Sequence, residues 1–361
     1  MKKILLGISG GISFLIFLIL LAVTGYMGNS LPEQQMAQRW SEDGDVAQVS
    51  CFFAVDAGVT EESILSFTRS LDSTLQEASI TQDSENPGAR LWVDAYSADG
   101  KITLSNGTKK LEADAVGVGG DFFLFHPVKL LSGSYFSGNA LMQDYCVLDR
   151  DAAWQLFGGS DVAGMTVYIG NVPHIVTGVV ERQSGRLEDA AGLESTLVYV
   201  SYTSLDAYGT NNGINHYEIV MPDPVSGFAY NHVKDNIGVQ EKQVEIIENT
   251  TRYSLLNRLK MIGAFGTRSM NGKAIIYPYW ENIARGYDDI IALLTVFMLL
   301  FLLYPVILFL VLFIIWWRNK GWTLKDVRYR VKDKVERTIE QKRIKRQTAK
   351  NNSGTEDAFE D

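Results

Sequence analysis

The sequence predicts an α+β fold, a mixed-sheet extracytoplasmic domain held between two transmembrane helices. Three observations carry this. Residues 4–26 and 290–317 form two apolar runs without a charged residue, each long enough to cross a hydrocarbon core of about 30 Å as a helix. Between them, short segments alternate between strand and helix periodicity, punctuated by Gly, Pro and Asn. Charge is split along the chain: residues 27–289 hold 18 Lys and Arg against 34 Asp and Glu, and residues 318–350 hold 13 against 4.

That split orients the protein. Lys2 and Lys3 precede the first run and the basic segment follows the second, so the positive-inside rule places both termini in the cytoplasm of a cell-membrane protein and the middle domain outside. The net charge of −9 conceals an acidic ectodomain, which argues against nucleic acid as a partner. The expected organisation is a cytoplasmic N-terminus (1–3), transmembrane helix 1 (4–26), the extracytoplasmic domain (27–289), transmembrane helix 2 (290–317) and a cytoplasmic basic amphipathic tail (318–361). The first run exceeds a signal-peptide core of about 7–15 residues and no clean small-x-small site follows it, so an uncleaved anchor is expected. Tyr304-Pro305 falls inside the second run, where proline removes one helix hydrogen bond and a neighbouring group must satisfy the freed carbonyl. The run is too short for two crossings and reads as one long, kinked or tilted helix. Trp316, Trp317 and Trp322 suit the headgroup region at its cytoplasmic end.

After the first span, Ser30 and Glu33 have capping-box spacing and Pro32 suits a first turn. A short helix is expected there, with Leu31, Met36 and Trp40 as its apolar residues. Residues 46–55 read as a strand. Gly58 turns the chain and Thr60 caps a helix with Ile64, Leu65, Phe67, Leu71, Leu75 and Ala78 at helical spacing, without a full capping box. Pro87 and Gly88 break that pattern. Residues 90–98 alternate as a strand. Asp99-Gly100 signals a hairpin with 101–105 returning, Asn106-Gly107 signals a second, and 109–118 form the next strand. Residues 146–149 are a short strand, and Asp149 caps a helix over 150–157 that stops at Gly158-Gly159. Residues 165–169 and 174–180 flank a Gly170-Asn171 hairpin, 183–194 read as a loop and 197–201 as a strand. A strand (214–221), helix (229–237) and strand (243–248) follow, and a helix over 253–265 leads back to the membrane.

The order of pieces from Gly117 to Tyr208 resembles a known family. Gly117-Val118-Gly119-Gly120-Asp121-Phe122-Phe123 runs into Leu130-Leu131-Ser132-Gly133-Ser134-Tyr135-Phe136. Cys146-Val147-Leu148-Asp149, Leu156-Phe157-Gly158-Gly159 and Asp161-Val162-Ala163-Gly164 come next. Val167-Tyr168-Ile169-Gly170, Ile175-Val176-Thr177-Gly178 and Val198-Tyr199-Val200-Ser201 complete the succession. It is similar to the MacB-type periplasmic core domain of ABC transporter permeases, the FtsX-like permeases, over roughly residues 1–290. The resemblance implies a porter-like α/β part built from two strand-helix-strand halves, with an inserted mostly-β lobe at about 137–210. It also implies three further spans after the ectodomain where this sequence shows one. The expectation is therefore a chain truncated to two transmembrane helices, which needs another membrane protein to complete it and whose expected partners are a separate ABC ATPase and/or a multi-span permease subunit, or a second copy of itself.

The sequence offers no enzyme. His126, His174, His216 and His232 are scattered and make no HxxxH or HExxH pair, so no metal site is expected, and His174 reads as a solvent-facing turn residue. Gly-x-Ser-x-Gly and the GxxxxGK[ST] phosphate loop are both missing, so neither hydrolase chemistry, ATP hydrolysis by this chain nor a cofactor is expected. Cys51 and Cys146 are the only thiols, both outside; one disulfide and two buried free thiols are both open. Tyr277, Tyr279 and Trp280 read as an interfacial aromatic belt. Leu324, Val327, Val331, Val335 and Ile339 recur at helical steps among Arg328, Arg330, Lys332, Lys334, Arg337, Lys342, Arg343, Lys345 and Arg346. This is a basic amphipathic helix for anionic lipid or a cytoplasmic partner. The expected function is a non-catalytic membrane subunit related to ABC permeases, whose outside domain binds a substrate or partner or transmits conformational change to it. The alternative is a standalone cell-envelope binding or scaffold protein.

Overall fold

The computed structural model describes residues 2–41, 44–81, 89–265, 274–320, 328–329 and 331–344. The first span is helix α1 (Lys2–Gly28). Leu31 then enters one 3-10 turn (Pro32–Gln34) and helix α2 (Met36–Trp40). The expected Ser30–Glu33 box does not form, because Ser30 Oγ bonds back to the Met27 carbonyl. The remaining elements are, in chain order, β1 (Val46–Phe53), α3 (Glu61–Glu77), β2 (Val93–Ser105), β3 (Lys110–Gly120), α4 (Phe122–Phe125), β4 (Leu130–Gly133), β5 (Tyr145–Asp149), α5 (Arg150–Phe157), β6 (Thr166–Ile169) and β7 (Val172–Val180). Then come α6 (Arg186–Ala190), a short helix inside the segment expected to be a loop, β8 (Leu197–Ser201), α7 (Tyr202–Tyr208), β9 (Thr210–Asn211), β10 (His216–Pro222), α8 (Phe228–Asn236), β11 (Val244–Glu248), α9 (Leu255–Ala264) and α10 (Tyr279–Asn319). The predicted strands and long helices keep their order, and α4, β4, α6, α7 and β9 are additions to them. The sequence breakers Pro87 and Gly88 lie outside the described residues.

The strands form a mixed sheet in the order β11-β1-β10-β2-β3-β8-β5-β7-β4. Among the described strands, β3–β8 and β5–β7 are the pairs that run parallel. β6 pairs with β7 and, through Leu104–Ile169, with β2. The ring β2-β3-β8-β5-β7-β6 is thereby closed, and closure removes exposed strand edges. Inside it lie Ile102, Leu104, Cys146, Leu148, Val167, Ile169, Val198 and Val200, all buried. A second core packs α3 and α8 on β1 and β10, with Phe53, Phe67, Leu71 and Tyr217 at its centre.

Two local expectations are corrected. Asp99-Gly100 is not a turn: β2 runs straight through it, and Gly100 pairs with Ala115 on one side and Asn211 on the other. A Cβ at Gly100 would sit 2.3 Å from the Thr210 carbonyl oxygen, so this glycine admits the β9 backbone. Thr60 does form a capping box, with Ser63 as the reciprocal partner.

The disulfide alternative is also corrected. Cys51 and Cys146 are free and buried. They sit on β1 and β5, with β10, β2, β3 and β8 between them. Strands lie about 4.8 Å apart, whereas a disulfide needs Cα atoms within about 7 Å. Burial pushes both thiols up from their ordinary range, which makes them inert.

Two helices are long and apolar enough to cross a membrane, Ile4–Gly28 with mean hydropathy 2.7 and Tyr279–Asn319 with 3.1. α10 passes through Pro305 without interruption. Proline at 305 frees the carbonyl four residues back, that of Phe301, and Ser13 Oγ of α1 donates to this oxygen at 2.8 Å. Ser9 Oγ and Tyr304 Oη are 2.8 Å apart beside it. A Cβ at Gly10 would meet Leu308 at 2.8 Å, so small residues set this close packing. Ser13→Ala is expected to weaken the pairing of the two helices by about 1 kcal/mol, measured as reversible unfolding in bicelles. Gly10→Val should cost more, because a clash replaces a lost bond.

Candidate functional site

Glu218 on β10 is the centre of a buried polar cluster. His216 lies two residues earlier, so both side chains share one face of the strand. His126, just after α4, meets them from the side. His216 Nε2 is 3.1 Å from Glu218 Oε1, and His126 Nε2 is 3.4 Å from Glu218 Oε2, with every side chain about 1% exposed or less. Burial alone would raise the Glu218 carboxyl, but His216 and His126 hold it well below the usual carboxylate range. These three residues could hold a metal ion, since their ligand atoms all lie within 4.8 Å of one another.

A hydrogen-bonded path leads from this cluster to the second span. Ser50 Oγ on β1 donates to Glu218 Oε1 at 2.6 Å. Asn249, one residue past β11, donates from Nδ2 to Ser50 Oγ at 2.7 Å. Arg252 Nη1 reaches Asn249 Oδ1 at 3.3 Å. Arg252 then clamps two carboxylates of α10. Its Nη1 and Nη2 donate to Glu281 at 2.8 and 3.0 Å, and its Nε and Nη2 donate to Asp288 at 3.1 and 2.7 Å. Burial would lower the guanidinium, yet the Glu281 and Asp288 charges raise it well above its ordinary value. Arg285 adds bonds to Glu281 at 2.8 Å and Glu245 at 2.7 Å. Glu281, Arg285 and Asp288 stand at i, i+4 and i+7, one face of the helix.

Trp280 anchors the same helix start. It is 2% exposed, with its ring centroid 4.2 Å from His126, 5.1 Å from His216 and 5.6 Å from Phe122. Tyr279 Oη and Tyr199 Oη are 2.8 Å apart. The expected membrane belt is therefore corrected at these positions: Trp280 belongs to the domain core. His174 is corrected too. It is 1% exposed, with Nε2 2.9 Å from Ser204 Oγ.

A cleft of about 510 Å³ opens between α3 and β2, lined by Glu61, Thr68, Asp72, Arg90, Trp92, Asp94 and Tyr96. Trp92 Nε1 donates to Asp72 at 2.6 Å, and the Tyr96 hydroxyl bonds Glu61. The cleft and the buried cluster lie on opposite faces of the same strands: Asp94 and Tyr96 of β2 face the cleft, whereas Ala95, which pairs with Glu218 of β10, faces the other way. Burial pushes the Asp94 carboxyl up to about 6. A carboxyl raised above its unfolded value of about 3.9 contributes stability that is complete below pH 4 and lost as pH climbs through 6. Asp94→Asn should therefore melt like the parent at pH 4 and be about 1–2 kcal/mol more stable at pH 7.5, read from denaturant midpoints.

The sequence-predicted tail residues are only partly placed. Arg328 is described, and Lys332, Lys334, Arg337, Lys342 and Arg343 lie on an exposed helix over 331–344, with Val331, Val335 and Ile339 all more than half exposed. Arg330, Lys345 and Arg346 lie outside the described residues, as do Leu324, Val327 and Trp322.

A mixed-sheet domain between two membrane-length helices defines a membrane-anchored extracytoplasmic module. The chain belongs to the MacB-like periplasmic core domain family, whose model matches residues 4–237. It is 29% identical over 117 residues to the macrolide export ATP-binding/permease protein MacB of Pasteurella multocida, covering 32% of this chain and 18% of that protein. It is 35% identical over 75 residues to the protein of the same name from Chromobacterium violaceum, covering 20% and 12%. The matches thus span a fifth or less of these relatives' length. Among solved structures, the periplasmic region of MacB from Actinobacillus actinomycetemcomitans aligns with a TM-score of 0.38 at 19% identity, covering 58% of this chain and 92% of that one. The extracellular domain of the noncanonic ABC-type transporter YknZ from Gram-positive bacteria aligns with a TM-score of 0.36 at 16% identity, covering 55% and 99%.

Proposed function

We propose that this chain is a non-catalytic membrane subunit of an ABC-permease-type assembly. Its outside domain passes conformational change between a substrate or partner at the α3–β2 cleft and the second span. The observation that carries this reading is the buried path Glu218–Ser50–Asn249–Arg252–Glu281, which ties the central strands of the sheet to the first turns of α10. A helix tied in this way moves with the sheet, because slipping would strip buried charges of their partners. Both termini lie in the cytoplasm. There, the basic tail segment with Arg328, Arg330, Lys332, Lys334, Arg337, Lys342, Arg343, Lys345 and Arg346 in its sequence meets anionic lipid or a separate ABC ATPase or permease subunit.

The test is purification of the tagged full chain from native membranes in mild detergent. An ATP-binding subunit should co-elute in fixed proportion. Recovery as a self-contained dimer, with a tail that binds anionic liposomes and no protein, would overturn this reading in favour of an envelope scaffold.

A further inference from the structure

The cluster at the head of the polar path has the donor set of a metal site. We infer that His126, His216 and Glu218 bind one divalent first-row transition-metal ion of the zinc class. This goes beyond the coupling role and does not depend on it.

The geometry is the first argument. A tetrahedral zinc ion bound at about 2.0–2.1 Å sets neighbouring ligand atoms about 3.3–3.4 Å apart. Here His126 Nε2 lies 3.4 Å from Glu218 Oε2 and His216 Nε2 lies 3.1 Å from Glu218 Oε1, so each imidazole meets its own carboxylate oxygen, and one ligand atom from each of the three residues falls within 4.8 Å of the others. Two imidazoles and one carboxylate are a recurrent zinc ligand set with a fourth position left for another ligand.

Unmet bonding capacity is the second argument. His126 Nδ1 is buried without a hydrogen-bond partner, and His126 Nε2, His216 Nε2 and Glu218 Oε2 are buried with nothing but the His–Glu218 contacts at 3.1–3.4 Å, none of them a well-aligned hydrogen bond. Such atoms are costly in a core. Two neutral imidazoles donating from Nε2 would give each Glu218 oxygen a partner but would leave its full negative charge buried. A dication uses both Nε2 lone pairs and the carboxylate together, and it offsets a carboxylate charge buried at 1% exposure.

The surroundings supply the third. His216 Nδ1 lies 3.3 Å from Ser97 Oγ, and Ser50 donates to Glu218, so two of the three ligands are held from behind. Such outer partners orient metal ligands and tune them. Phe122, Trp280 and Phe52 close the site with rings 4.4 Å from His126 and 5.1 Å from His216, keeping it dry. Sequence spacing hides the site, because His126 is 92 residues from Glu218.

The experiment uses the full chain purified in detergent without chelator, its metal content measured by mass spectrometry. About one zinc-class ion per chain is expected. Unfolding in EDTA and refolding with Co(II) should give the visible absorption of a four-coordinate cobalt site, and the metal-loaded protein should melt higher than the stripped one. Glu218→Gln and His126→Gln should lose the ion, Ser97→Ala should hold it more weakly, and His232→Gln, on α8 and outside the cluster, should keep it. If the ligand variants fail to fold, the cobalt spectrum of the parent decides alone. A folded parent that holds under about a tenth of an equivalent after refolding with zinc, or whose cobalt spectrum is that of the hexaaquo ion, overturns the site. So does a melting temperature that follows protonation in the histidine range and ignores zinc.

Discussion

Arg252→Met is expected to destabilise the extracytoplasmic domain by about 3–5 kcal/mol, because it strips the shared counter-charge from Glu281 and Asp288 in the interior. For a domain of this size, that lowers the melting temperature by on the order of 10 °C. Arg252→Lys should recover only part of the loss, since one ammonium cannot make two bidentate contacts. Replacing Arg252, Glu281 and Asp288 together with leucine should restore most of the stability, because the cost lies in broken pairing rather than in the pair's net worth. The triple variant then separates stability from coupling: it folds, but its polar link to α10 is gone. Thermal unfolding of the four proteins in one detergent measures all of this.

The second large effect is at Trp280. Burial at 2% exposure against His126, His216 and Phe122 makes Trp280→Ala a cavity-forming change of about 3–5 kcal/mol. A tryptophan in the membrane headgroup region would cost far less on truncation. Trp280→Phe keeps most of the apolar surface and should recover at least half. The indole fluorescence of Trp280 in a variant with the other six tryptophans replaced should be blue and protected from acrylamide.

What was legible in the sequence follows from the range of the physics involved. The two spans, the Asp149-capped helix and the Gly170-Asn171 hairpin rest on apolar runs, caps and turns, which are local, and they stand where expected. Asp99-Gly100 misled because its glycine answers to the β9 backbone, which arrives from 110 residues further on. His174 misled in the same way, since Ser204 on α7 buries it. The candidate site was nearly invisible. Its residues come from α4, β1, β10, the end of β11 and α10, and only topology joins them. One trace was available: Glu281, Arg285 and Asp288 share a face just ahead of an uncharged apolar run, an expensive place for three charges unless partners wait there.

The most direct test of coupling is native-state hydrogen exchange of the full chain in lipid nanodiscs. A buried path from Glu218 to Glu281 requires the amides of β10 (His216–Pro222) and the first three turns of α10 to open together, with one shared free energy. Asn249→Leu, which cuts the path at its middle, should split them into two. First turns of α10 that already open in the parent protein at a lower free energy than β10 would contradict the coupling.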